Sequence, residues 1–389
     1  MPNPANPVAP DASASRTRLE WIDYLRTLVI FLVVIQHACV TYSHVGSWYV
    51  LSPHEPSWTV KLFFIVWETV MQSFFMGVLF FIAGYFAYGS IRRRGPGSFA
   101  RERLFRLGLP ALLYMLVIHP FILIGLNPWH NDFGPWAAFY EKFIRSGSVL
   151  SASGPMWFAV ALLIFCLIFA LGRWASNGRI PALPDKKPSG WIMAGFAVLL
   201  GIANFLIRLW QPLGSSVLNM QLGYFAQYVG FFLVGLAAGR GGWIVILAQS
   251  RSSSRVGLAA LILAPLALIA LIRVGEAERT TLPFIGGWHW EAAALALWEQ
   301  FAGMGLSLGL LAFTCQILNG EIAILRWLSD RSFSVYLLHP PILIGLYMLA
   351  AKFSWNPMVL AALLSLAALA CSFAVADIAR RIPGLRRIV

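Results

Sequence analysis

Apolar residues in this chain gather into long runs separated by short polar or aromatic stretches. Crossing a bilayer as a helix takes about 20 mainly apolar residues, because every backbone amide must be paired internally where there is no water. Ten stretches qualify, near 24–44, 63–89, 106–126, 155–173, 191–209, 222–239, 256–273, 291–317, 332–351 and 358–378. They predict an all-α, polytopic membrane protein of about ten transmembrane helices. With 59% hydrophobic and only 12% charged residues in 389, the composition excludes an ordinary soluble domain.

The net charge of +13 would suggest nucleic acid in a soluble protein. Here the basic residues sit in short segments between apolar runs, as in loops facing anionic lipid and cytoplasm. Alternating the ten helices puts 22 of the 29 Lys and Arg residues on one side, and this bias predicts both termini in the cytoplasm. Residues 1–18, rich in Pro, Ala and Ser, read as a disordered cytoplasmic N-terminus; 19–380 as the membrane domain; 381–389 as a basic cytoplasmic tail. No small-residue cleavage pattern follows the first apolar run, so that helix is expected to stay as an anchor. Cys39, Cys166, Cys315 and Cys371 lie singly in apolar stretches and read as packing residues, with neither a disulfide framework nor a metal site expected. No repeat of fixed period and no appended soluble domain is visible.

Ionisable side chains inside membrane helices are costly, about 2.5–3.5 kcal/mol at the centre on insertion scales, so each is a functional candidate. The first helix is densest in them: Asp23, Arg26, His37 and His44 fall on one narrow arc, His37 returning to within roughly 20° of Arg26. Along the axis Arg26 and His37 are about 16 Å apart, comparable to an extended pantetheine arm. Two readings stand at this point. In one, Arg26 holds a phosphate of coenzyme A at the cytoplasmic mouth while His37 takes a proton from an attacking hydroxyl. In the other, His37 hydrogen-bonds a neighbouring helix and Arg26 is a snorkelling anchor.

Other candidates are scattered along the chain. The strongest basic cluster runs from Arg92 to Arg106, where Arg101, Arg103 and Arg106 guard the entrance to the third helix. Arg103 and Arg106, spaced i, i+3 on one helical face, could bind a diphosphate together or mark topology alone. His339 precedes Pro340 and Pro341, which break the backbone ladder and could open a polar notch; His119, also followed by proline, lies nearer the external end. Glu68, Glu299 and Asp377 are the intramembrane carboxylates, with Glu68 the first choice as a partner because helix two follows helix one directly. Gly77, Gly84, Gly303, Gly305 and Gly309 give small-residue faces for close helix packing. The loops 45–62 and 127–153, rich in Trp, His, Pro, Asn and Gly, suit interfacial anchoring and sugar stacking alike. Trp157 reads as interfacial unless it lines an acceptor cleft.

The Arg26–His37 spacing after Asp23-Tyr24-Leu25 resembles the first helix of the membrane acyltransferase family 3. The same pattern continues in FFIAGYF (80–86), RLFRLGLP (103–110), GPMWFAVALLIF (154–165) and SVYLLHPPIL (334–343), in the expected order. Within the family, the YSH segment ending helix one, the Trp-rich loop after it and the basic tail resemble the branch that succinylates osmoregulated periplasmic glucans. The resemblance implies a multi-pass O-acyltransferase of the bacterial inner membrane. It would move an acetyl or succinyl group from cytoplasmic acyl-coenzyme A to a hydroxyl of a periplasmic or cell-surface glycan. His37 would be general base or transient acyl carrier. Arg26, with Arg101, Arg103 and Arg106, would hold the donor, while Asp23 orients Arg26, Glu68 supports the imidazole and His339 lines the site. Coenzyme A would be a passing substrate, with no cofactor held permanently. Two rivals come from other classes: a transporter or flippase for a lipid-linked or anionic solute, and a silent membrane scaffold.

Overall fold

A computed structural model describes residues 19–126, 136–177, 184 and 186–384. The expectations for residues 1–18, part of the second aromatic loop and the end of the basic tail lie outside the described residues. The named helices are α1 (Glu20–Ser43), α2 (Trp58–Arg103), α3 (Leu109–Leu113), α4 (Trp136–Arg145), α5 (Trp157–Ala175), α6 (Gly190–Arg208) and α7 (Phe225–Gly241). They continue with α8 (Ile244–Gln249), α9 (Arg251–Val274), α10 (Leu282–Ile285), α11 (Trp290–Ile317), α12 (Ala323–Ala350) and α13 (Pro357–Arg381).

Among the described residues, nine helical runs are long and apolar enough to cross a membrane, and one of these, Trp58–Leu126, spans 69 residues. At about 1.5 Å per residue it would be roughly 100 Å long, several times a bilayer core of about 30 Å. It turns back instead. Gly95 adopts φ 76° and ψ 165°, a conformation only glycine takes readily, and an Arg94–Glu102 ion pair closes the bend. Near the far end of the run, His119 bonds to Tyr49 from the loop before α2. The run therefore goes out and back, so that among the described residues the nine runs hold ten stretches of the kind hydropathy predicts.

The returning limb is irregular for an identifiable reason. Proline clashes with the carbonyl four residues earlier, and wide π-turns at Leu104–Gly108 and Tyr114–Ile118 sit where Pro110 and Pro120 would collide. Elsewhere the corrections are at boundaries. The expected loop between the second and third crossings is helical up to its bend; α9 begins at Arg251 rather than 256, and α12 at Ala323 rather than 332. The added turns of α12 carry Trp327 and Arg331, whose contacts with Phe373 and Asp377 of α13 hold a polar helix end that hydropathy alone would end sooner.

Small residues decide the helix contacts. A Cβ on Gly84 would collide with the Phe232 carbonyl and one on Gly235 with the Phe81 carbonyl, so α2 and α7 meet backbone to backbone. Gly257 and Gly309 do the same for α9 and α11. The helix α1 is packed among α2, α11, α12 and α13, which turns the His37 end of its polar arc toward α12.

Candidate functional site

The polar arc of α1 meets α12 at one point. His37 Nδ1 lies 2.9 Å from His339 Nε2. His339 is fully buried, and its Nδ1 faces two backbone oxygens of its own helix, Tyr336 at 2.8 Å and Val335 at 3.3 Å. A ring nitrogen beside carbonyls must carry hydrogen, so the neutral His339 has its lone pair on Nε2. His37 must then donate from Nδ1. The lone pair of His37 is left on Nε2, the nitrogen turned away from its partner.

Trp48, from the loop after α1, lies flat on His37, with ring centroids 3.9 Å apart and planes 12° from parallel. The His44 that ends α1 takes a left-handed conformation (φ 55°) and its Nε2 reaches the Ser52 carbonyl at 2.7 Å, folding that loop back over the helix end. His44 thus anchors the loop rather than extending the polar arc. Beside Trp48, the Tyr49 hydroxyl lies 3.0 Å from the Tyr114 hydroxyl and 2.7 Å from His119 Nδ1. Burial raises the Tyr49 phenol above its ordinary value, so it stays protonated. His119 belongs to this second cluster, not to the His37 pair.

Glu68 is buried on α2 with one carboxyl oxygen lacking a partner among the described residues, close to Cys39 and Ser43 of α1. The hydrogen bond that His37 Nδ1 makes goes to His339, whereas Glu68 lies near Cys39 and Ser43. Asp23 and Arg26 form an ion pair at 3.5 Å, with the Arg26 side chain 44% exposed. Between Arg26 and His37 on the same arc, Ile30 and Val33 are 7% and 1% exposed. The arc is therefore open at Arg26 and closed by apolar side chains before it reaches the imidazole.

At the Arg26 end of the bundle a cavity of about 480 Å³ is lined by Arg94, Ser98, Arg101, Glu102 and Phe105. Its formal charges sum to one positive. Arg101 lines it as a basic group should, but Arg103 and Arg106 diverge. The π-turn that begins at Leu104 advances each residue by less than an α-helix does, so their i, i+3 alignment is lost. Arg103 stacks on Phe99 at 5.1 Å, while Arg106 pairs with Glu102 at 3.4 Å. Arg94 and Ser98 were missed as individual candidates; the signal was present in the basic cluster, but Ser98 shares a helical face with Arg101 and only the bend at Gly95 brings Arg94 to the same cavity.

The other carboxylates have separate work. Glu299 pairs with Arg208 at 2.5 Å, both side chains almost wholly buried, and Arg208 also donates to the Gly223 carbonyl and stacks on Tyr224. Hydropathy puts Arg208 at the loop end of α6, so its burial was missed. Asp377 receives Arg331 at 2.5 Å and Arg381 at 2.6 Å, a clamp between α12 and α13. Trp157 packs 5.6 Å from Tyr228.

Residues 19–377 match the family described as an acyltransferase domain. The chain is similar to glucans biosynthesis protein C of Salmonella schwarzengrund, 27% identical over 239 residues, which cover 58% of this chain and 60% of that protein. The chain thus spans somewhat under two thirds of the length of that relative. It is also similar to glucans biosynthesis protein C of Escherichia coli O81, 24% identical over 334 residues, covering 83% of this chain and 81% of that protein. No solved structure matches.

Proposed function

The chain belongs to the acyltransferase family, and from that premise we propose that it is a membrane O-acyltransferase that moves an acetyl or succinyl group from acyl-coenzyme A to a glycan hydroxyl. The observation that carries this reading is the His37–His339 hydrogen bond. It leaves a lone pair on His37 Nε2, inside the membrane and under an aromatic lid from the loop.

The two ends of α1 suit two substrates. The cavity lined by Arg94 and Arg101 is cationic, and with Arg26 nearby on the same end of the bundle it suits the phosphates of coenzyme A. The opposite end, where Trp48 covers His37, suits the acceptor. The acyl arm must pass Ile30 and Val33, whose apolar surfaces match its alkyl segments; those side chains part when the donor enters.

Two routes are open from there. In the direct one, His37 Nε2 accepts the hydroxyl proton as the sugar oxygen attacks the thioester carbonyl; the carbon–sulfur bond breaks and the thiolate takes the proton. In the other, Nε2 itself attacks, the thiolate leaves, and the resulting acyl-imidazolium is opened by the sugar hydroxyl, whose proton passes to the thiolate while the nitrogen–acyl bond breaks and restores neutral His37. Either way positive charge develops on His37, and the Nδ1–H donated to His339 orients the ring for it. With both termini in the cytoplasm, the donor comes from that side of a bacterial inner membrane and the acceptor from the other. Incubating membranes with radiolabelled acetyl- or succinyl-coenzyme A tests the reading: label should pass to glycan with wild type and fail with His37→Ala and Arg26→Ala at equal expression. Unchanged transfer in His37→Ala would remove the mechanism.

A further inference from the structure

A second cavity lies at the opposite end of the bundle from the arginine-lined one. Its volume is about 440 Å³, and its walls come from the start of α2 and the segment after α9, among them Glu55, Trp58, Lys61, Glu278, Arg279 and Thr281. The loop that lays Trp48 on His37 is the same loop that ends at Trp58. Along α2, Trp58 stands about 15 Å from Glu68, the residue level with the inner side of α1.

The chemistry of this cavity differs from that of the other end. Its two carboxylates and two cations cancel, so nothing in it favours a polyanion such as coenzyme A. Lys61 and Glu55 form an ion pair, which holds the Glu55 carboxyl below its usual range and keeps it an acceptor. Trp58 lines the cavity through its ring, while its indole N–H is closed off from it. An aromatic face, carboxylate acceptors and ammonium, guanidinium and hydroxyl donors, arranged with no net charge, match the alternating C–H faces and hydroxyls of a sugar chain.

We infer that this cavity is a binding subsite for an uncharged stretch of oligosaccharide, set apart from the acyl-transfer point and joined to it by the Trp48–Trp58 loop. The inference rests on the reading of the acceptor as a glycan. It places one part of the chain in the outer cavity while a hydroxyl elsewhere on the same molecule meets His37.

The test uses the full chain, purified in detergent, with linear β-glucan oligosaccharides as the probe and affinity read by calorimetry without any acyl donor. Wild type should bind the oligosaccharide. Trp58→Ala should weaken it at least tenfold, and Trp58→Phe, which keeps an aromatic face, should bind close to wild type, with thermal unfolding of both variants close to wild type. Equal affinity in wild type and Trp58→Ala would overturn the inference, as would complete displacement of the glucan by phosphatidylethanolamine, which would make the cavity a lipid headgroup site. Because no donor is present, this result is separate from the label-transfer experiment: binding that survives alongside absent transfer rejects the enzyme mechanism and not the subsite.

Discussion

His37 Nδ1 and His339 Nε2, 302 residues apart in the chain, face each other across 2.9 Å in the interior of the bundle. The backbone of α12 sets the tautomer of the second ring, and the second ring sets the tautomer of the first. A helix carbonyl thereby determines which nitrogen of His37 is basic.

Replacing His339 should separate orientation from chemistry. His339→Ala removes the acceptor for His37 Nδ1–H and should lower kcat at least tenfold, about 1.4 kcal/mol in the barrier. His339→Gln can still offer an amide oxygen near the place of Nε2 and should recover a large part of that loss. Steady-state kinetics of the two variants in liposomes, with KM for the donor nearly constant, would support a positioning role; equal kcat in Ala and Gln variants would argue against it.

The passage between Arg26 and His37 is narrow at Ile30 and Val33. Val33→Phe should obstruct the acyl arm and reduce transfer, with overpacking costing about 1–3 kcal/mol of stability. Val33→Ala should leave transfer intact or raise it. Thermal unfolding alongside transfer rate distinguishes obstruction from unfolding, and a Phe variant that transfers at the wild-type rate would put the arm elsewhere.

Arg208 and Glu299 are a buried pair, and removing one member leaves a charge unpaired in a low-dielectric interior. Arg208→Met should cost about 3–5 kcal/mol, seen as a large drop in unfolding temperature. The double variant Arg208→Met with Glu299→Leu should recover most of it, since a packed apolar replacement is often neutral or better. Failure of the double variant to recover would show that the pair does more than neutralise itself.

At Gly84 the α2 backbone lies against the Phe232 carbonyl of α7 with no room for a methyl group. Gly84→Val should separate the two helices and lower thermal stability by at least about 1–3 kcal/mol, whereas Gly97, with open space around it, should tolerate alanine. Comparable unfolding temperatures for the two variants would contradict the packing described.

Hydropathy revealed the membrane-length helices because their length follows from the thickness of the bilayer itself. The Asp23, Arg26 and His37 arc was readable for the same reason, since polar groups on an apolar helix stand out. His339 was visible as a buried histidine before two prolines, but its pairing with His37 is a contact between distant helices, and no periodicity reports that. Glu68 was favoured as a partner on chain adjacency, whereas the hydrogen bond to His37 from α12 links residues 302 apart and no adjacency points to it. The split of Arg103 from Arg106 depends on a π-turn forced by Pro110, which local spacing does not reveal. Trp48 was one aromatic among several in its loop until the left-handed His44 folded it back onto His37.

Chemical rescue of His37→Gly tests the central claim most directly. Transfer from radiolabelled acyl-coenzyme A by the purified variant in liposomes should fall by about 10²–10⁴-fold, the usual contribution of a positioned general base, and should rise again in proportion to added imidazole. A glycine variant that transfers at the wild-type rate without imidazole would contradict the account.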